Sequence, residues 1–252
     1  MAWRKTYAGA EPQRVNKWLA QEGVCSRREA EALIADGKVR IDGERVDDPG
    51  RKIERGQTLE LAAAGAEAAF TAVLNKPVGY VSAQPEKDQI PAARLLTRAN
   101  LAGEGGIDTR SMSLAPLGRL DQDSRGLLLL SQDGVLAKAL VGEESKLDKE
   151  YLVRVSGQIT DRKLAALQHG LELDGRKLRP AKISAIEPQR LRFVLREGRK
   201  RQIRRMCEMV DLGVTDLLRI RIGPLKLGTL HEGKWRVLAA AERSALIAES
   251  RS

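Results

Sequence analysis

The chain has little from which to build a metal or disulfide site. Cys25 and Cys207 are its only cysteines, too few and too far apart for a disulfide framework or a zinc cluster. His169 and His231 have no second ligand at metal-binding spacing. Both cysteines are therefore expected to be reduced, in a cytoplasmic protein. Long apolar runs are also lacking. The longest run of branched aliphatic residues is Leu127 to Leu130, far short of the roughly 20 residues of a membrane span. The opening residues MAWRKTYAGAEPQR have no apolar core for a signal peptide. No internal repeat is visible, and Gly103 to Gly106 follows no strand, so it is not a nucleotide-binding fingerprint. A glycine-rich methyl-donor loop after an early strand is missing as well.

What is present is enough for a core and a strong positive charge. Hydrophobic residues make up 42% of 252 residues, room for one large domain or a moderate domain with an appendage. The net charge is +10, and excess Lys and Arg attract polyanions through counterion release. Its distribution is uneven: residues 189–236 hold 13 Lys and Arg against 5 Asp and Glu, whereas residues 1–60 hold 12 against 11. A charge run by itself is as often a solvated face as a nucleic-acid surface.

Residues 14–61 read as a small module. Val15, Trp18 and Leu19 mark one face of a first helix that Gly23 ends. Ser26 as N-cap and Glu29 three residues later suit a capping box for a second helix, with Ala30, Leu33 and Ile34 inward and Gly37 as its stop. Val39 to Ile41 and Glu44 to Val46 flank Asp42-Gly43, a two-residue hairpin signal. Two short helices and a hairpin around one buried Trp make a marginal core, suited to an attached reader. Lys17 on the first helix and Arg27 and Arg28 in the first turn of the second are its candidate phosphate contacts. This order of elements, with KWLAQEGVCSRREAEALIADGKVRIDGERV, resembles the S4 RNA-binding domain, in which the second-helix face contacts RNA.

Residues 62–70, with AAAGAEAAF, read as a small-residue linker. From Thr71 to about residue 240 the pattern is α+β. Strand-like runs recur at Ala72 to Leu74, Leu127 to Leu130, Tyr151 to Val155, Lys182 to Ile186, Leu191 to Leu195 and Leu217 to Ile222. Helical stretches cover Ile90 to Leu96, Val135 to Val141 and Asp161 to His169. Leu101 to Leu114 is polar and glycine-rich, and is expected to be a loop near the site.

Four segments can carry chemistry. NKPVGYVS, residues 75–82, follows the first strand, and its Pro77 and Gly79 force a turn that sets Lys76 at the strand end. PLGRLDQDSRGLLLLSQDG, residues 116–134, places the polar stretch Arg119 to Arg125 at the mouth of a buried strand. There Asp121 can be a carboxylate kept ionised by Arg119 and Arg125; equally, Asp121 and Asp123 can be turn residues capping backbone, and spacing serves either reading. In KEYLV, Tyr151 at a strand start, with Lys149 two residues before it, can stack on a base, move a proton or merely pack. REGRKRQIRRMCE, residues 196–208, reads as a basic helix with Arg201, Arg204 and Arg205 at i, i+3 and i+4. Like charges at that spacing repel, so they call for phosphates, a buried carboxylate, or both.

Taken in order, these segments resemble the RsuA/RluB/RluE/RluF family of ribosomal RNA pseudouridine synthases. The likeness runs from the S4-like module through RIRIGPLKLG to GKWRVL. It implies an S4 domain followed by a catalytic domain with a mostly antiparallel, bent mixed sheet split by a cleft. By position, Asp121 matches the catalytic aspartate, Tyr151 the tyrosine that stacks on the target base, and Arg204 the arginine that pairs with the aspartate. Arg119 matches a residue that fills the space left by the extruded nucleotide. Arg199, Lys200, Arg201, Arg205 and Lys76 join Lys17, Arg27 and Arg28 as expected RNA contacts. Ser124 for Thr, Ser131-Gln132 for Thr-Asn, Lys200 for Asn and Cys207 for an aromatic are departures, and Met206-Cys207-Glu208 leans towards the RluF branch, which acts on 23S rRNA. The implied reaction cuts N1–C1′ of an extruded uridine and rejoins the base through C5, with Asp121 as nucleophile at C1′ or base at C2′. It needs no cofactor and no metal. The expected partner is ribosomal RNA, as a stem-loop or a pre-ribosomal subunit, met by a monomer away from membranes. The competing reading is a non-catalytic S4-type ribosome-associated factor.

Overall fold

The computed structural model describes residues 3–25, 27–62, 70–82, 85–86, 88–103, 109, 112, 114–142, 145–169 and 171–251, and of Arg28 and Arg251 the backbone alone. The expected N-cap Ser26, the Arg28 side chain, most of the 62–70 linker and most of the glycine-rich 101–114 stretch lie outside them. The chain divides into two compact units, residues 1–70 with 132–138 and residues 71–131 with 139–252. Among the described residues no helix is long and apolar enough to cross a membrane.

In the N-terminal unit, helix Val15–Gln21 stops at Gly23, whose φ of 73° lets Val24 N–H reach back to Leu19 O at 3.0 Å. Helix Arg27–Ala35 ends the same way at Gly37, where Lys38 N–H donates to Leu33 O at 2.9 Å. Asp42 and Gly43, both at positive φ, close the hairpin between Val39–Ile41 and Glu44–Arg45. The structure adds strands that the sequence did not suggest. Trp3–Thr6 pairs with Thr58–Leu61, and the sheet order is Trp3–Thr6, Thr58–Leu61, Val39–Ile41, Glu44–Arg45. Trp3 and Tyr7 thereby meet Trp18 edge-on, with ring centroids 5.7 and 5.2 Å away, which enlarges a core expected to rest on one Trp.

The larger unit is built on a nine-stranded sheet. Its main path runs Lys182–Glu187, Arg190–Leu195, Lys149–Ser156, Gly213–Ile222, Arg125–Ser131, Thr71–Lys76, Trp235–Val237. Ala115–Pro116 and Leu225–Lys226 are the two strands off that path. All pairings are antiparallel except that of Arg125–Ser131 with Gly213–Ile222. Leu127, Leu128, Leu129 and Leu130 are all buried, as four consecutive leucines in a central strand must be. Thr160 caps helix Asp161–Gln168 through Lys163 N–H. A helix expected over Ile90 to Leu96 is instead a strand, Ile90–Pro91, then a 3-10 turn, Ala92–Leu95. Pro91 disfavours helical geometry at Ile90 and has no N–H to continue a ladder. Beyond residue 240 the chain continues as helix Ala240–Arg251, joined to the last strand by the ion pair of Arg236 with Glu242 at 2.7 Å.

The strand Arg125–Ser131 needs glycine at its second position. Gly126 sits at φ +107° opposite Arg219, and a Cβ there would lie 2.3 Å from Arg219 O. Only glycine permits this approach of the two backbones.

Candidate active site

Two turns at neighbouring strand ends frame the site. Lys76 ends one strand, beside Gly126 near the start of the next. The turn after Lys76 and the turn before Arg125 are stitched together. Ser82 Oγ donates to Leu120 O at 2.7 Å and accepts from Leu120 N–H at 2.9 Å, while Gly79 N–H donates to Gln122 O at 2.8 Å. Lys76 is fully buried, and its ammonium donates to Pro77 O at 2.9 Å and Tyr80 O at 2.7 Å. Burial lowers its pKa to about 8, against the opposing pull of Asp123 and Asp121. This corrects the expectation that Lys76 touches RNA: it braces the turns from inside.

Asp121 is half-buried at the tip of the second turn, and its carboxylate has no hydrogen-bond or ion-pair partner among the described residues. Arg125, expected to flank it, instead grips Asp216 with two bonds of 2.7 Å and reaches Glu232 at 3.3 Å. Arg204, expected to pair with Asp121, is occupied two residues further on. It is 7% exposed, donates to Asp123 O at 2.7 Å and Val214 O at 3.0 Å, and holds Nε 3.2 Å from Asp123 Oδ2 without the alignment of a hydrogen bond. Arg201 donates to the same carboxylate oxygen at 2.9 Å. Asp123, read as one of two equivalent turn residues, is therefore the shared partner of two arginines, and Asp121 is left open.

The basic helix is shorter than expected. It spans Gln202–Glu208, and Arg201 is its N-cap in the left-handed conformation, φ 53° and ψ 32°. The three arginines thus do not share a helical face. Arg205 turns away to a two-bond ion pair with Asp174, at 2.9 and 2.7 Å. Arg199 is anchored to the Glu172–Lys177 hairpin through Leu173 O at 2.8 Å, Arg176 O at 3.3 Å and Lys177 O at 3.2 Å. The anionic partners that the charge pattern demanded are carboxylates of the chain itself.

Strand Lys149–Ser156 supplies the opposite wall. Lys149 and Tyr151 alternate with Glu150, which lies buried between Arg192 and Arg221, each 2.6 Å away. Burial works against the Glu150 charge, and the hydrogen bonds from the two arginines overcome it, holding its carboxyl below the usual range. Pairing with Gly213–Ile222 slips between Glu150, opposite Arg221, and Tyr151, opposite Arg219. The slip turns the two arginines to opposite faces: Arg221 to Glu150, Arg219 to Tyr151. Arg219 is 2% exposed, donates to Leu127 O at 2.7 Å and Arg119 O at 3.2 Å, and keeps Nη2 buried without an acceptor.

Asp121, Tyr151, Arg204, Arg119, Arg199, Lys200 and Arg201 all line one cleft of about 830 Å³, within the roughly 300–1,000 Å³ of small-molecule sites. Lys149, Arg219 and Leu217 line it too. Arg205 and Lys76 do not. Lys17 and Arg27 are exposed on the N-terminal unit. Arg219 was not among the expected site residues; its one signal was a basic residue within the strand-like run Leu217 to Ile222. Both thiols are buried, and burial pushes Cys25 and Cys207 up to about 12, so neither is a thiolate nucleophile at neutral pH.

The family model for RNA pseudouridylate synthase matches residues 71–209, and that for the S4 domain matches residues 13–59. The dual-specificity RNA pseudouridine synthase RluF of Salmonella typhi is 33% identical over 234 residues, 91% of this chain and 76% of that one. The ribosomal large subunit pseudouridine synthase B of Bacillus subtilis is 33% identical over 239 residues, 91% of this chain and 93% of that one. A crystal structure of a pseudouridylate synthase superposes with a TM-score of 0.64 at 26% identity, covering 92% of this chain and 99% of the other. A cleft lined by an open aspartate and a strand-borne tyrosine, in a chain with these relatives, leaves one assignment: the protein belongs to the RNA pseudouridine synthase family and is an isomerase of RNA uridines with an N-terminal S4 domain.

Proposed function

We propose that the protein converts a specific uridine of ribosomal RNA, in the 23S molecule, to pseudouridine, with Asp121 as the carboxylate that acts on the ribose. The observation that carries this reading is the cleft itself: Asp121 is its one carboxylate of the 118–124 turn left without a partner, and Tyr151 lines the same space. The names of relatives that act on large-subunit RNA support the substrate class.

A stacked uridine hides its C1′, so the nucleotide must leave the stack, at about a few kcal/mol. Arg119, exposed at the rim of the cleft, is suited to take the vacated place, and the exposed Lys200 to hold a neighbouring phosphate. Tyr151, 8% exposed, offers its ring to the extruded base. Arg204 acts as a positioning residue: through the carbonyl and carboxylate of Asp123 it fixes the turn that presents Asp121. The S4 unit adds RNA affinity through Lys17, Arg27 and Arg28.

The decisive experiment is Asp121→Asn. The variant is expected to fold and bind RNA normally while pseudouridine formation falls by about 10²–10⁴-fold or more, the worth of a positioned acid–base or nucleophilic group. Carbodiimide mapping of ribosomal RNA from a deletion strain locates the uridine. Unchanged modification by the purified variant overturns the role of Asp121, and a lost signal confined to the small-subunit RNA overturns the 23S assignment.

A further inference from the structure

Resting on that reading of the cleft, we propose that Lys149 and Arg219 together receive the uracil ring as an anion, holding its carbonyl oxygens while the base is detached from the sugar.

Arg201 and Arg204 are committed to Asp123, and Arg199 to three backbone carbonyls. The half-buried Lys149 ammonium has no acceptor among the described residues, and the buried Arg219 has Nη2 left over. A buried donor without an acceptor, such as Arg219 Nη2, is rare and asks for a missing ligand. Lys149 and Arg219 also stand close enough to repel: burial lowers the Lys149 pKa, the Arg219 charge lowers it further, and Asp148, itself held by Arg196, opposes them more weakly. Two like charges in a half-dry recess work against folding unless an anion joins them.

Position selects the anion. A backbone phosphate would be met by the exposed cations of the rim, Arg119 and Lys200. Lys149 and Arg219 instead flank Tyr151, one on its own strand and face, the other directly opposite. That is where the base lies. The chemistry supplies a negative charge at that place. When N1–C1′ breaks, its electron pair stays on the ring, spread over N1, O2 and O4. C1′ is taken by the Asp121 carboxylate, or becomes an alkene carbon after C2′ gives its proton to it. C5 then bonds C1′ and its proton leaves to solvent while N1 takes one up, and Asp121 is released, or returns its proton to C2′. In both routes the ring is anionic between the two bonds, and no outside oxidant or reductant is needed. Fixed cations aimed at a charge that develops only in the reaction accelerate it without strengthening ground-state binding.

The test uses the whole protein and unmodified ribosomal RNA in single-turnover reactions, with Asp121→Asn run alongside. Lys149→Gln is expected to slow the saturated rate by about 10²-fold, the usual effect of removing one donor at a developing anion. RNA affinity should stay close to that of the wild type, and the melting temperature should be equal or higher. Lys149→Arg should recover most of the rate. RNA carrying 5-fluorouridine at the target, whose uracil anion is stabilised by fluorine, should show a smaller deficit for Lys149→Gln, read as disappearance of the nucleoside. A Lys149→Gln rate equal to wild type overturns the proposal, as does a loss confined to RNA affinity, which marks a phosphate contact, or an equal deficit with both nucleosides. These outcomes leave the role of Asp121 standing; a wild type that modifies no ribosomal RNA overturns the broader reading and this one with it.

Discussion

The cations expected to meet RNA in the N-terminal unit and those that frame the cleft of the larger unit stand in opposite settings. In the N-terminal unit, Lys17 and Arg27 point into solvent and have no partner among the described residues. In the larger unit, Lys76, Arg204 and Arg219 are buried, and, Arg219 Nη2 apart, they are tied to carbonyls or to Asp123. Exposed cations supply attraction that is screened by salt and can be removed without disturbing the fold. Buried cations shape the backbone around them, so their removal is felt in stability and turnover together.

The strongest way to break this contrast is Gly126→Ala. The added Cβ collides with the Arg219 backbone, 2.3 Å from its carbonyl oxygen, and the expected loss is about 3 kcal/mol or more in denaturant unfolding. A midpoint equal to wild type would show that Arg219 is not held by this close approach. Next comes Asp123→Ala, which deprives two arginines of their shared carboxylate. Because Asp123 is 43% exposed, its loss is expected to destabilise by only about 1–3 kcal/mol, yet the Asp121 turn loosens and turnover falls more than RNA affinity. Turnover that tracks affinity one for one would remove Arg204 from its positioning role. The smallest effect belongs to Arg27→Ala. Its melting temperature should match wild type, RNA binding should weaken alike for all sequences, and the slope of log affinity against log salt should fall by about 0.7–0.9. An altered melting temperature would mean that the exposed cations of the S4 unit are structural after all.

The same contrast sets how much was legible in the sequence. Leu127 to Leu130 announced a buried strand because no wet face is possible for four adjacent leucines, and Asp42-Gly43 announced a hairpin by its demand for positive φ. Asp121 and Tyr151 were picked out by resemblance more than by local physics, and the cleft brings them together. The arginine pairings were not readable. Arg201 and Asp123 are 78 positions apart, and no local pattern says which of two nearby aspartates an arginine will find. The i, i+3, i+4 spacing predicted one helical face, but Arg201 lies outside the helix. Arg219 stayed hidden because the slip opposite Glu150 and Tyr151 breaks the simple alternation that would have turned it and Arg221 the same way.

Arg201 is held in a left-handed backbone conformation at φ 53°, a state that disfavours any residue with a branched-out side chain by about 1–2 kcal/mol. Glycine would sit there at ease but could not reach Asp123; a long cation elsewhere in the loop would reach it without bending the chain into the helix. Position 201 is therefore a place of low mutational tolerance set by two incompatible demands, reach and backbone freedom. Sequence change in this protein should meet resistance there even though the side chain is 42% exposed and looks, on the surface, freely replaceable.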